Sequence, residues 1–332
     1  MEERKKDHID LALDSQTLIN TLDDRFDYEP LLNPHPGGSP EPFDFLGKKL
    51  NIPVWVSSMT GGTKMAGIIN RNLARACHEF GFGMGLGSCR IIMDDDTYFE
   101  DFNVRPIIGD DYPLYANLGI AQIEELIESN SLERILSLLD RLQADGLVVH
   151  VNPLQEWCQP EGDHFRSAPI ATIKRLLDQT DFRVIVKEVG QGMGPESLRA
   201  LLKLPLEAIE FAAFGGSNFA LVELARSAPA MKAVYEPLTS LGHTAEEMVD
   251  MVNHIFDTET EILCRQLIIS GGIKTFLDGF YLVKKSSLPA IYGQASGFLM
   301  HARENYESLQ EYLAYQVKGW QLAEAYLTPK FD

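Results

Sequence analysis

The chain has 332 residues, 45% of them hydrophobic and 23% charged, so it can bury a sizeable core and is not a disordered polymer. Its formal net charge of −19 repels nucleic acid and anionic lipid, which removes both as partners and leaves any anionic substrate dependent on locally gathered cations. No run of about 18 apolar residues signals a membrane span.

The first stretch, Met1 to Asp10, is charged and lacks an apolar segment of the kind that directs secretion, so the expected location is the cytoplasm. It carries one cluster of cations, Arg4, Lys5 and Lys6. Pro and Gly gather between Asn33 and Pro42, a loop ahead of the main domain. Beyond it, short apolar runs alternate with amphipathic stretches, the pattern of βα units. The expected strands are Pro53–Ser58, Gly83–Gly87, Leu114–Asn117, Gly146–Val151, Arg183–Lys187, Ala208–Ala212, Gln266–Ser270 and Ala290–Tyr292. Helical patterns lie between them at Ile123–Glu128, Leu132–Gln143, Ala168–Leu177 and Pro195–Leu202, the last with Pro in its first turn, where the missing N–H is harmless. An insertion from Phe219 to Glu261 separates the sixth and seventh strands; it holds the loop Tyr235–Gly242 and a helix starting near Thr244.

Eight strands suit an α/β fold of the (β/α)₈ TIM-barrel type, one domain over residues 1–332. An open doubly wound sheet would carry a GxGxxG turn after its first strand, and Met59-Thr60-Gly61-Gly62 does not match. The glycine-rich turns fall instead after the seventh and eighth strands, at Gly271-Gly272 and Gly293, where barrels commonly hold phosphate. The four cysteines, Cys77, Cys89, Cys158 and Cys264, lie far apart without zinc spacing and read as reduced thiols. Cys89 is treated as packing, although Arg90 beside it suits a lowered thiol pKa.

Barrel chemistry sits at the C-terminal ends of strands, and all eight ends here carry polar or glycine residues. His150 and Asn152 are two apart and share a face of an extended strand. Oxygens of Asn152, Gln155 and Glu156 suit a hard cation such as Mg²⁺; the plainer reading is a satisfied histidine and a helix-start carboxylate. Lys187 ends the apolar run Val184-Ile185-Val186 and aims a cation at the mouth, as base, Schiff-base former or counter-ion, or else snorkels outward.

The order of motifs resembles the type 2 isopentenyl-diphosphate isomerases. The matching segments are Arg4-Lys5-x-Asp7-His8-Ile9, Ser58-Met59-Thr60-Gly61-Gly62, Gly87-Ser88-x-Arg90, His150-Val151-Asn152-Pro153-Leu154-Gln155-Glu156 with Gln159-Pro160-Glu161-Gly162, Val186-Lys187-Glu188-Val189-Gly190-x-Gly192, and Ser270-Gly271-Gly272-Ile273. The resemblance implies an FMN-binding barrel with an N-terminal arm, residues 1–45, covering its mouth. It implies FMN, Mg²⁺ and NADPH as reductant, a prenyl diphosphate substrate, and a homotetramer or larger homo-oligomer. FMN contacts are expected from Met59, Thr60, Gly61, Ser88, Asn117, Lys187 and Ser217, with the phosphate near Gly272, Ile273, Lys274, Ala295 and Ser296. Arg4, Lys5, Arg90, His150, Asn152 and Gln155 would bind substrate, Glu156 would ligate the metal, and Gln155, His150 and Lys187 would stand nearest the chemistry. The reduced flavin would act as the acid–base agent.

The chain departs from that family's pattern at Cys89 (usually Gln), at Ala212-Ala213-Phe214-Gly215-Gly216-Ser217 (usually Ser-Gly-x-Gly-Gly-Thr), at Lys274 (usually Arg), and at Pro237–Gly242, which replaces a Trp-Gly-Ile-Pro-Thr-like segment. The alternatives are an FMN-dependent oxidoreductase of the 2-hydroxy-acid oxidase type and a non-catalytic flavin- or phosphate-binding protein. The oxidase reading wants a His-x-x-Arg pair, and its nearest candidate, His243, is followed by Thr244-Ala245-Glu246.

Overall fold

The computed structural model describes residues 2–58 and 61–331. Helix α1 (Glu2–Ala12) opens the chain, and every residue from Glu3 to Asp24 is exposed. Strand β1 (Phe26–Tyr28) pairs antiparallel with the last strand, Leu327–Pro329. Arg25 anchors this end by donating to Asp278 at 3.1 Å and lying over the Tyr281 ring. A hairpin of β2 (Phe43–Phe45) and β3 (Lys48–Leu50) follows.

The βα units then run β4 (Val54–Val56), α2 (Lys64–Phe80), β5 (Gly83–Gly85), the short α3 (Phe99–Phe102) and α4 (Arg105–Ile108), β6 (Leu114–Gly119), α5 (Ile120–Glu128) and α6 (Glu133–Leu142). Next come β7 (Gly146–His150), α7 (Pro153–Cys158), α8 (Pro169–Gln179), β8 (Arg183–Lys187), α9 (Pro195–Leu202) and β9 (Ala208–Glu210). The insertion supplies α10 (Phe219–Arg226), α11 (Pro229–Tyr235) and α12 (Ala245–Thr258). The chain closes with β10 (Leu267–Ser270), α13 (Phe276–Lys285), β11 (Ala290–Gln294), α14 (Ser296–Glu304), α15 (Tyr306–Tyr326) and β12, the Leu327–Pro329 strand already met. Strands β4 to β11 pair in parallel and in chain order, and β11 closes on β4, completing the barrel.

The elements follow from local chemistry. Helix α6 buries Ile135, Leu138, Leu139 and Leu142, one stripe at helical spacing. Helix α12 starts where Thr244 and Glu247 form a reciprocal capping box. Helix α2 stops at Gly81, whose φ of +77° is the left-handed conformation that favours glycine.

All eight expected strands form, Arg183–Lys187 with the expected ends and the others with ends shifted by at most two residues. The clearest difference is Gly293, read as a turn but found inside β11. There it is a close-approach residue: a Cβ would lie 2.6 Å from Ser57 Oγ.

Inside the barrel, Trp55, Tyr115, Val148, Ile185, Ala208, Ile268 and Ile291 form one cluster with Phe45, Leu46 and Leu50 of the hairpin. The hairpin thus plugs the N-terminal end: Leu46 N donates to Gln266 Oε1 at 2.8 Å and Leu46 O accepts from Arg183 Nη1 at 2.9 Å. Burying each such apolar side chain is worth about 1.5–3 kcal/mol. With this end sealed, the open end lies at the strand C-termini. Residues 43–45 of the expected arm therefore stand at the barrel's closed end.

Candidate active site

At the strand C-termini a cavity of about 390 Å³ opens into the barrel. Its floor carries Ser57 and Ser58 after β4, Lys187 at the end of β8 and Glu210 at the end of β9. Ser57 Oγ, Ser58 Oγ and Glu210 Oε2 are buried with no hydrogen-bond partner among the described residues. Such orphaned atoms are costly unless a ligand satisfies them.

One side of the cavity is a backbone cradle. Gly215 and Gly216 lie against Gly271 and Gly272, and a Cβ on Gly271 would sit 2.1 Å from Ala213 O. Gly271 also has a φ of +89°, so both space and conformation require glycine. Beyond it come Ile273 and Lys274, then Ala295 and Ser296, where α14 begins without a side-chain cap. Uncapped N–H groups at a helix start bind anions. Ser217 lines the same cavity. The expected contacts Lys187, Ser217, Gly272, Ile273, Lys274, Ala295 and Ser296 are thereby gathered in one place, and the orphaned polar atoms and the glycine cradle suit a flat heterocycle bearing a phosphate. Met59 and Thr60 lie outside the described residues. Gly61 is held against the Phe102 ring, 2.0 Å from an ideal Cβ, and Ser88 is exposed.

Lys187 is buried, and its Nζ donates to Glu188 O at 2.6 Å. The Glu188 carboxylate accepts from the N–H groups of Gly190, Gln191 and Gly192 at 2.6, 2.6 and 3.0 Å. Burial raises its pKa, opposed by those N–H groups and by Lys187. Glu188 thus fixes the loop after β8 and, through its carbonyl, the lysine.

Asn117, expected at the flavin, is found on His150: His150 Nδ1 and Asn117 Oδ1 are 2.7 Å apart. An amide oxygen only accepts, so Nδ1 carries the proton and Nε2 is left as an acceptor. Burial, and then the charge of Lys187, push the His150 pKa down to about 3. The ring is neutral at ordinary pH. His150 and Lys187 are register partners on β7 and β8, so the histidine and the cavity share a wall.

Asn152 Nδ2 donates to Glu156 Oε1 at 2.8 Å and to Gln155 Oε1 at 3.1 Å, which joins the three residues that sequence spacing singled out. Asn152 Oδ1 is buried without a partner. Among the described residues no group of three His, Cys, Asp or Glu side chains could hold a metal. An orphaned amide oxygen beside one carboxylate fits Mg²⁺ of the kind that keeps waters and takes its remaining ligands from a substrate phosphate. Arg90 Nη1 pairs with Asp163 Oδ2 at 2.7 Å. Arg4 and Lys5 lie on α1 and are exposed. Cys89 is fully buried and its thiol is pushed up to about 12, an inert packing residue.

Two site residues escaped the sequence reading. Glu210 is fully buried facing the cavity. Glu223 is buried on α10, lies 3.5 Å from Gln155 Nε2 and pairs with Arg226 at 2.7 Å. Its signal was present: it stands between the buried Ala220 and Leu224 on the apolar face of α10, where an acid is out of place.

No protein-family model matches the chain. An isopentenyl-diphosphate delta-isomerase of Mycolicibacterium gilvum is 33% identical over 284 residues, covering 84% of this chain and 79% of that protein. The isomerase of Rickettsia felis is 32% identical over 315 residues, covering 93% and 88%. The chain belongs to the isopentenyl-diphosphate delta-isomerase family. The assignment agrees with the type 2 motifs, and an isomerase of Deinococcus radiodurans reaches 38% identity over 70% of this chain and 66% of its own length. Solved structures share the fold alone: a mandelate oxidase variant with a monooxide FMN adduct has a TM-score of 0.59 at 13% identity, covering 93% of this chain and 89% of that one. A flavocytochrome b2 variant has a TM-score of 0.56 at 13% identity, covering 91% and 72%. In this isomerase-family chain His243, the candidate for oxidase chemistry, lines a separate apolar cavity between α8 and α9. Among the described residues no helix is long and apolar enough to cross a membrane.

Proposed function

We propose that this chain interconverts isopentenyl diphosphate and dimethylallyl diphosphate with FMN in the 390 Å³ cavity and Mg²⁺ at Glu156. The observation that supports the reading is the shared wall: His150 is the register partner of Lys187, which lines the cavity. FMN, reduced by NADPH, supplies the acid–base chemistry when bound.

The chain's own residues bind and orient. Lys187, fixed by Glu188 O, places a positive charge where a reduced, anionic ring is stabilised. Ser57, Ser58 and Glu210 offer their unpartnered atoms to the polar edge of the ring, while Gly272 to Lys274 and the start of α14 hold its phosphate. Glu156 and Asn152 Oδ1 would hold the metal, which would supply positive charge for the substrate's phosphates. Arg90 contributes a cation, and Arg4 and Lys5 join it if the exposed helix α1 folds over the mouth. A dianionic diphosphate against His150 Nε2 offsets the burial that keeps the ring neutral, so His150 takes up a proton as substrate binds. Gln155, held by Asn152, faces the substrate. A homotetramer or larger assembly, drawn from the family resemblance, and a cytoplasmic location belong to the same reading.

The test is anaerobic conversion by the purified protein, with FMN, Mg²⁺ or NADPH omitted in turn. Each omission is expected to stop turnover. Full turnover without FMN or without reductant would overturn the reading.

A further inference from the structure

Arg90, expected to bind the diphosphate, follows β5 at the C-terminal end of the strands, yet its side chain is 59% exposed and has little packing to hold it. One residue restrains it. Asp163 Oδ2 accepts from Arg90 Nη1 at 2.7 Å and from Gln122 Nε2 at 2.8 Å. Gln122 is itself buried and fixed, its Oε1 accepting from Gly119 N at 3.1 Å at the end of β6. The carboxylate is therefore clamped from the barrel side, and it grips Arg90 through one terminal nitrogen only. Among the described residues the Arg90 side chain makes no other hydrogen bond, so its remaining N–H groups are available as a fork for phosphate oxygens.

The same residue reaches the other half of the site through its main chain. Asp163 N donates to Glu156 Oε2 at 2.8 Å. The loop after α7 turns back tightly enough for this because Gly162 has no side chain: a Cβ there would lie 1.9 Å from Glu156 O. Glu156 is thus held on one oxygen by Asn152 and on the other by Asp163.

We propose that Asp163 is a positioning residue that sets the diphosphate-binding arginine and the metal-ligating glutamate together, its side chain aiming Arg90 and its N–H holding Glu156. The proposal rests on the reading of Arg90 and Glu156 as diphosphate and metal ligands. Asp163 makes no contact with substrate in this role; it acts through Arg90. The role demands that an amide in place of the carboxylate weaken the aim without changing the fold, because Asn keeps an oxygen for Gln122 and leaves the main-chain bond intact.

The experiment uses the full-length, FMN-loaded protein and titrates inorganic pyrophosphate with Mg²⁺ present, for wild type, Asp163→Asn, Arg90→Met and the double variant. A half-exposed charge pair is worth up to about 1 kcal/mol, so Asp163→Asn is expected to weaken pyrophosphate about 5-fold. The double variant is expected to match Arg90→Met within about 2-fold, since a residue acting through Arg90 has nothing to do once Arg90 is gone. In turnover, KM for isopentenyl diphosphate rises while kcat at saturation stays within about 2-fold. Gln122→Met, which removes the clamp and leaves both charges, is expected to weaken binding in the same direction. Tighter binding by Asp163→Asn would show the carboxylate competing with phosphate and overturn the proposal, as would losses that add in the double variant. If Arg90→Met alone leaves pyrophosphate binding unchanged, the underlying reading of Arg90 fails, a result distinct from a failure at Asp163.

Discussion

Replacing Asn117 by Asp tests the claim that His150 is kept neutral by its surroundings. The two side chains meet at 2.7 Å and Asn117 is 3% exposed, so the new carboxylate would face the imidazole without water between them. Opposite unit charges about 4 Å apart are worth about 4 kcal/mol at an effective dielectric near 20. That corresponds to about 3 pKa units. Desolvation of the carboxylate removes part of it, leaving a rise of about 1–3 units. His150, held at about 3 in the native protein, then titrates between about 4 and 6. The sign for stability follows. A histidine depressed below its ordinary 6.5 stabilises the fold above that pH, and the contribution is lost as pH falls toward 3. Asn117→Asp should therefore lose stability less steeply between those limits. Histidine-resolved NMR titration gives the pKa, and urea unfolding at a series of pH values gives the stability. A native His150 titrating near 6.5, or one unmoved by the substitution, would refute the burial argument.

Glu156→Gln removes the ligand charge at an exposed-rim helix while leaving the barrel intact; Mg²⁺-dependent turnover should fall, with FMN still bound in a spectral titration, and an unchanged Mg²⁺ dependence would remove Glu156 from the metal site. Lys187→Ala should weaken reduced, anionic flavin more than oxidised flavin, measured by anaerobic titration of both states; equal losses would contradict the charge argument. Gly271→Ala places a Cβ 2.1 Å from Ala213 O at a φ of +89°, so the cradle must shift and FMN affinity should fall at least about tenfold, a change of about 1.4 kcal/mol; unaltered affinity would show that the cradle does not hold the phosphate.

The barrel was legible because each strand is a short apolar run bounded by Gly, Pro or polar residues, and the helix of Pro195–Leu202 was found to the residue. The hairpin plug was not legible. Its apolar residues, Phe43, Phe45, Leu46 and Leu50, are broken by Asp44, Lys48 and Lys49, and they reach the core only because the barrel end is otherwise open. At the site, the trio Asn152, Gln155 and Glu156 could be read from helical and strand spacing because its members are close in sequence. The Asn117–His150 bond joins residues 33 apart on neighbouring strands, and register is a property of the closed sheet, invisible to local pattern. Nothing in the sequence therefore signals that the Asn117 side chain also supports the histidine. Glu223 could have been found from the sequence, as a carboxylate on an apolar helical face. Arg4 and Lys5 carry the cations but no continuous apolar face that would dock α1, and Ile9 and Leu11 remain 73% and 59% exposed.

The most direct measurement is product analysis by NMR of isopentenyl diphosphate incubated in deuterated water with the FMN-loaded, NADPH-reduced protein and Mg²⁺, with flavin absorbance followed throughout. Acid–base isomerisation at this mouth predicts many turnovers to dimethylallyl diphosphate carrying deuterium in the new methyl group, with the flavin remaining reduced. Absence of the isomer, together with bleaching of the oxidised flavin by a 2-hydroxy acid without NADPH, would contradict it and make the site an oxidoreductase.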